Sequence, residues 1–239
     1  MQTVQLRKWL VALLAACIAM ALSSCGTVPL ASWPDGVNLL VDGSFEDGTG
    51  PDGPFKPNPQ GWMTLQSGST SLPGWTVVDN TRFGQDIAWV QNANCCVPNG
   101  ATDGTHFLDL TGGSDKADPN GHFGVIRQSF ATIPRTRYWA SVDIGVKNPD
   151  HPGPIQVRMA MSATNSNLIE YAQVTCPYDP AAQGAQSKPC SMEFTANSDS
   201  TLVSIYGELG KTYIGIDNVT VQCIAPLGRH AWCGGAPPP

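Results

Sequence analysis

The chain has 239 residues, a formal charge of −6, only 13% charged residues, and 25 Gly and 20 Pro. Its length and 41% hydrophobic share allow one large domain with a substantial core. The acidic balance excludes an electrostatic footprint for nucleic acid or anionic lipid, while frequent turn residues between short β-branched and aromatic runs predict a sandwich or barrel.

At the N-terminus, Arg7 and Lys8 are the only charges among the first 25 residues and precede an apolar run of 14 residues, Trp9–Leu22. Such a run suits the apolar segment of an export signal and is short for a spanning helix. It ends in Leu22-Ser23-Ser24-Cys25-Gly26, which resembles the lipobox of bacterial lipoproteins. The resemblance implies alkylation of the Cys25 thiol by diacylglycerol and cleavage before it, with acyl chains such as palmitate anchoring the product. An ordinary secretory signal with an incidental Cys is the alternative. On this reading residues 1–24 are a signal peptide, and 25–36 are a lipidated tether at the extracytoplasmic face of a bacterial envelope. The charge of −6 becomes −8 once Arg7 and Lys8 leave.

Residues 37–223 read as one β-rich domain. Tyr138, Ala140, Val142, Ile144 and Val146 share one phase of an alternation, and Ile155–Met161 and Thr201–Tyr206 repeat the pattern. Period-two patterns of this kind mark strands with one buried face. His106–Leu110, Val125–Phe130, Met192–Thr195 and Tyr213–Val221 are further strands on the same grounds. Turn clusters at Asp47–Pro59, Gly112–Gly121, Asn148–Pro154 and Cys176–Pro189 separate them, and no amphipathic helix of useful length is evident. Asp115, Asp118, Asn120 and Gly121 resemble a fragment of a calcium loop, but Lys116 and the missing Glu make a polar turn of it. Residues 224–239 form a Pro/Gly-rich tail, predicted to be poorly ordered.

Of eight Cys, Cys17 leaves with the signal and Cys25 carries the lipid, so six remain for an oxidising compartment. Cys176–Cys190 is the most natural disulfide, closing a loop between two strands, and Cys223–Cys233 would tie the tail to the last strand. Cys95 and Cys96 are left over, because a bond between neighbours is strained. Crossed pairings stay open, and no Cys-x-x-Cys or His spacing points to zinc.

Six short blocks recur in a recognisable order: Asn38–Glu46, Leu72–Val77, Ile87–Val90, Asp103–Leu110, Ile126–Phe130 and Ile216–Val221. The series resembles the domain of unknown function 642 family and its bacterial relatives, the choice-of-anchor C proteins. That resemblance implies a galactose-binding-like jelly roll: an all-β, two-sheet antiparallel sandwich whose first and last strands lie near each other. It also implies binding of cell-wall or matrix polysaccharide, and it covers roughly residues 37–222. Asp42 departs from it, standing where relatives usually carry Asn.

Among individual residues, Glu46 and Asp217 are carboxylates beside apolar strand residues with no cation near them in sequence. With backbone carbonyls they would suit Ca²⁺, which takes six to eight oxygens, and the resemblance agrees. Alternatively they accept backbone N–H bonds in turns. Sugar binding needs aromatic platforms with hydrogen-bonding neighbours. Trp139 alternates away from the apolar face of its strand and is the best surface aromatic, whereas Trp75 reads as core. Trp89, Arg127, Asn92 and His106 complete the candidate ligand set, although Arg127 could instead pair with Asp109. No nucleophile elbow, His-Glu-x-x-His or phosphate loop appears, so the reading is non-catalytic. The alternatives are an envelope protein-interaction module and a glycan hydrolase with two facing carboxylates.

Overall fold

Alternating side chains bury one face of each strand, and two such faces pressed together form the core. The computed structural model describes residues 33–34, 36–78, 86–91, 100–112, 123–145, 154–164, 169–179, 187–209, 214–224 and 232–233, all within the unit Ser32–Pro239. The early strands are β1 (Trp33–Pro34), β2 (Trp62–Leu65), β3 (Thr76–Val77), β4 (Ile87–Gln91), β5 (His106–Asp109) and β6 (Val125–Ala131). The later ones are β7 (Arg137–Ile144), β8 (Ile155–Ala163), β9 (Glu170–Tyr178), β10 (Lys188–Thr195), β11 (Ser200–Leu209), β12 (Gly215–Cys223) and β13 (Trp232–Cys233). Among the described residues no helix is long and apolar enough to cross a membrane.

Every pairing is antiparallel. One sheet runs β10-β7-β12-β5-β4-β2 and the other β3-β6-β11-β8-β9, with β1 and β13 as a separate small pair. From β5 onward the chain changes sheet at nearly every connection, the jelly-roll way of winding a sandwich. The fold is therefore the all-β, two-sheet antiparallel sandwich expected. Inner faces meet through Tyr138, Ala140, Val142 and Ile144 on β7, and Val157, Met159 and Met161 on β8. Val203 and Ile205 on β11 and Val219 and Val221 on β12 complete that contact. Each fully buried aliphatic side chain of this kind contributes about 1.5–3 kcal/mol.

The N-terminal block closes the sandwich without becoming a strand. Leu39 N donates to Val221 O at 2.8 Å, and Val219 N to Gly43 O at 2.8 Å. Asn38 Oδ1 accepts from Val221 N at 2.9 Å. On its other side, Val41 exchanges two bonds with the Gln128 side chain of β6. Residues 38–43 thus continue along β12 where β5 ends, and reach across to the second sheet.

Three expectations need comment. β9 falls where no strand was expected, and its C-terminal end lies in the stretch read as a turn from Cys176. It is an edge strand with both faces partly exposed, so its alternation is weak, and Pro177 is tolerated because an edge strand can lack a ladder donor. The tail is not wholly unpaired, since Pro34 pairs with Trp232 and Trp33 with Cys233. The Cys176–Cys190 disulfide is present and joins the two sheets, linking edge strand β9 to edge strand β10. Cys223 is also disulfide-bonded. Cys95 and Cys96, the Asp115–Gly121 turn and residues 1–31 lie outside the described residues.

Candidate functional site

Strand register decides which side chains share the outer face of the five-stranded sheet. Arg127 pairs with Thr76 of β3 and with Ser204 of β11, Ser204 with Ala160 of β8, and Ala160 with Gln173 of β9. The adjacent row joins Val125, Tyr206, Arg158 and Thr175, and beyond it on the other side Ser162 stands between Leu202 and Glu170. Although Ala160, Ser162 and Ser204 point away from the core, all three are buried. They are a floor of small residues overtopped by long neighbours.

Those neighbours form one polar cluster. Arg127 Nε donates to Ser204 Oγ at 3.0 Å, and its Nη2 to the Tyr206 hydroxyl at 3.3 Å. That hydroxyl donates in turn to Glu170 Oε1 at 2.9 Å. Arg158 Nη1 donates to Glu170 Oε2 at 2.5 Å and its Nε to Glu208. The Arg158 guanidinium lies 3.9 Å from the Tyr206 ring centroid, a cation–π contact of about 0.5–2 kcal/mol. Four strands therefore hold an ordered set of donors and acceptors over a buried floor of small residues, an arrangement suited to a ligand dense in hydroxyl groups.

The ligand residues expected from sequence do not converge here. Arg127 belongs to this face and does not pair with Asp109, which lies on the other sheet and accepts from Thr111 and Ile214 N. Trp139 is 40% exposed, as its alternation indicated, but it sits on the outer face of the six-stranded sheet between Glu193 and Gln222. Trp89 is a correction. It is fully buried, its Nε1 donates to Phe45 O at 2.9 Å, and its ring meets Phe55 edge-on, so no face is left for a ligand. Trp75 is core, as read. His106 caps the same end of the core as Trp89, against the rings of Phe55 and Trp89. Asn92 lies outside the described residues. Tyr206, Glu170, Arg158 and Ser204 were not singled out from sequence. Their signal is a polar residue in the outward phase of strands that pair, which becomes visible only with the pairing known.

Glu46 and Asp217 grip one loop from two sides. Glu46 accepts from Thr105 N at 2.6 Å, from His106 N at 2.5 Å and from His106 Nδ1 at 2.9 Å. Asp217 accepts from Thr102 N at 2.6 Å, Asp103 N at 2.9 Å and Asn218 N at 2.7 Å. Between these anchors Gly104 has φ +67°, and a Cβ there would run into the Glu46 carboxylate. Donors rather than lone pairs therefore face both carboxylates. No group of three or more His, Cys, Asp or Glu side chains placed to hold a metal occurs among the described residues. As arranged, these residues do not fit a calcium ion, which needs six to eight oxygens, since N–H donors of one loop hold both carboxylates and no third ligand side chain is grouped with them among the described residues. The expected melting temperature is the same in calcium and in chelator. A fall on chelation, read by calorimetry, would instead place a cation at Glu46 and Asp217.

The electrostatics of these carboxylates differ. Burial pushes Asp217 up to about 6 against the opposing backbone N–H bonds, and pushes Asp42, with φ 47°, to about 6 as well. At Glu46 burial acts upward too, but the bonds from His106 and Thr105 outweigh it and hold the carboxyl below its usual value. The folded chain thus binds protons at Asp217 and Asp42 more tightly than the unfolded chain does. The corresponding stability is present at low pH and is lost as pH rises through about 6. Thermal melts should be higher at pH 5 than at pH 8, and Asp217→Asn should flatten that profile. A melting temperature rising from pH 5 to pH 8 would contradict the assignment.

No family model matches the chain, and no curated protein does. Among solved structures, the chain is similar to a family 4 carbohydrate-binding module, with 15% identity over 77% of this chain and 99% of that chain and a TM-score of 0.41. It is similar to a family 61 module in complex with β-1,4-galactotriose, with 13% identity, 79% and 99% coverage, and a TM-score of 0.44. It is also similar to a family 22 xylan-binding domain from Paenibacillus barcinonensis, with 11% identity, 69% and 94% coverage, and a TM-score of 0.44. These are likenesses of sandwich architecture, and no residue's role is taken from them.

Proposed function

We propose that the chain is a lipoprotein, held through Cys25 at the extracytoplasmic face of a bacterial membrane, whose sandwich binds polysaccharide without cleaving it. The observation that carries the binding half is the outer face of the five-stranded sheet. There Arg127, Tyr206, Glu170 and Arg158 form a connected polar rim over the small residues Ala160, Ser162 and Ser204. A rim already ordered by its own bonds loses little side-chain freedom when a sugar arrives, which favours binding. The anchoring half rests on Arg7, Lys8, the Trp9–Leu22 run and the Leu22–Gly26 lipobox. The galactotriose and xylan of the solved modules are ligands of those modules.

The binding test is affinity electrophoresis of the full chain, in detergent, through gels loaded with neutral and acidic polysaccharides. Retardation by at least one polymer is expected, weakened about tenfold by Glu170→Ala, which removes the acceptor shared by Tyr206 and Arg158. No retardation by any polymer would reject the reading, and release of reducing ends would reject its non-catalytic part. For the anchor, radiolabelled palmitate should enter the wild type and not Cys25→Ser.

A further inference from the structure

Arg127 differs from the other cations among the described residues. Arg137 pairs with Glu193, and Arg158 with Glu170 and Glu208. Lys56, Arg135 and Lys188 are exposed to solvent. Arg127 is half-buried, and its polar partners are two neutral hydroxyls, those of Ser204 and Tyr206. Among the described residues no carboxylate comes within ion-pair distance of it. A guanidinium stays charged at any working pH, and withdrawing it from water without a counter-charge is unfavourable.

The surroundings fix where a counter-charge could come from. The Tyr206 hydroxyl is committed on both sides, accepting from Arg127 and donating to Glu170, so it holds the guanidinium in place. Glu170 and Glu208 are drawn to Arg158, on the β8–β9 side of the cluster. On the opposite side, across the ladder, Arg127 faces Thr76 of the edge strand β3, which is exposed and uncharged. A guanidinium has five N–H donors, and the two bonds to Ser204 and Tyr206 leave the rest for an incoming acceptor.

From this geometry we infer that Arg127 is a specificity residue that takes the carboxylate of an acidic polysaccharide. A planar fork and a carboxylate make paired, charge-assisted bonds that neutral hydroxyls cannot match. The inference deepens the polysaccharide reading above and rests on it. Because the protein as a whole is acidic, selection for an acidic polymer has to come from this short-range pairing rather than from long-range attraction.

The experiment uses the full chain in detergent and chelator, with alginate and hyaluronan as probes, each beside its carboxyl-esterified form. Wild type is expected to bind the free acids about tenfold more tightly than the esters. Arg127→Gln should abolish that preference, and Arg127→Lys, which keeps the charge but loses the fork, should keep only part of it. Equal binding of acid and ester by wild type, binding of neutral polymers alone, or a preference that survives Arg127→Gln in a folded variant would overturn the inference while leaving polysaccharide binding intact. Failure to bind any polymer would remove the polysaccharide reading itself. The acid-against-ester comparison on wild type needs no variant, so a misfolded substitution cannot obscure the outcome.

Discussion

Replacing Trp89 by alanine should cost about 3–5 kcal/mol of folding free energy, enough to leave much of the chain unfolded at ordinary temperature. The side chain is fully buried between sheets, paired across the ladder with Met63 and Leu108. Its ring centroid lies 4.7 Å from that of Phe55 and 5.6 Å from that of His106, and its indole N–H satisfies the carbonyl of Phe45. Truncation opens a cavity the size of an indole and orphans that carbonyl, whose desolvation adds about 1–3 kcal/mol. Phe45 has φ 58°, an unusual conformation for a bulky residue that this contact helps to hold. Urea titration of wild type, Trp89→Ala and Trp89→Phe should place the phenylalanine variant between the other two, because it keeps most of the ring and loses the donor. A Trp89→Ala chain with an unchanged midpoint and lost glycan binding would reverse the argument and make this residue a ligand contact.

The second large effect belongs to the Cys176–Cys190 bond. With a sequence separation of 14, its removal frees a loop whose closure is worth about 3 kcal/mol in the unfolded chain. In a domain of this length that corresponds to roughly 6–12 °C in melting temperature. Cys190 is fully buried and pairs with Val142 of β7, whereas Cys176 pairs with Val157 of β8. The bond therefore fastens the two open edges of the sandwich to each other. A Cys176→Ala/Cys190→Ala chain is the right comparison, since a reductant would also open the disulfide of Cys223. Unchanged melting in the double variant would mean that the β9–β10 edge is held by packing alone.

The sequence spoke most clearly where one face of a strand is buried and the other wet. β7 alternates cleanly along its length, because Tyr138, Ala140, Val142 and Ile144 face the core while Arg137, Trp139, Ser141 and Asp143 do not. Trp89 was misassigned for the opposite reason. Ala88 and Val90, on the outer side of β4, are buried in a second small cluster with Phe107, so Ile87–Val90 is apolar throughout and carries no phase. The polar face was only partly legible. Arg127 could be named alone, but its partners Ser204 and Tyr206 come from β11 and the rest of the cluster from β8 and β9, and pattern within one strand says nothing about which strands become neighbours. Glu46 and Asp217 were recognisable as carboxylates needing partners; that the partners are N–H groups of residues 102–106 depended on a loop conformation no local pattern encodes.

The Asn38–Gly43 block has a mechanical consequence. It lies antiparallel to β12, bonded at Leu39 and Gly43 to Val221 and Val219, and is pinned from the side by Gln128. A pull applied to the N-terminal end while a polymer holds the sheet would run along these bonds and load them together, in shear, instead of peeling them off one by one. Tension would be handed first to β12, at the centre of its sheet between β7 and β5, and not to an exposed edge that could fray.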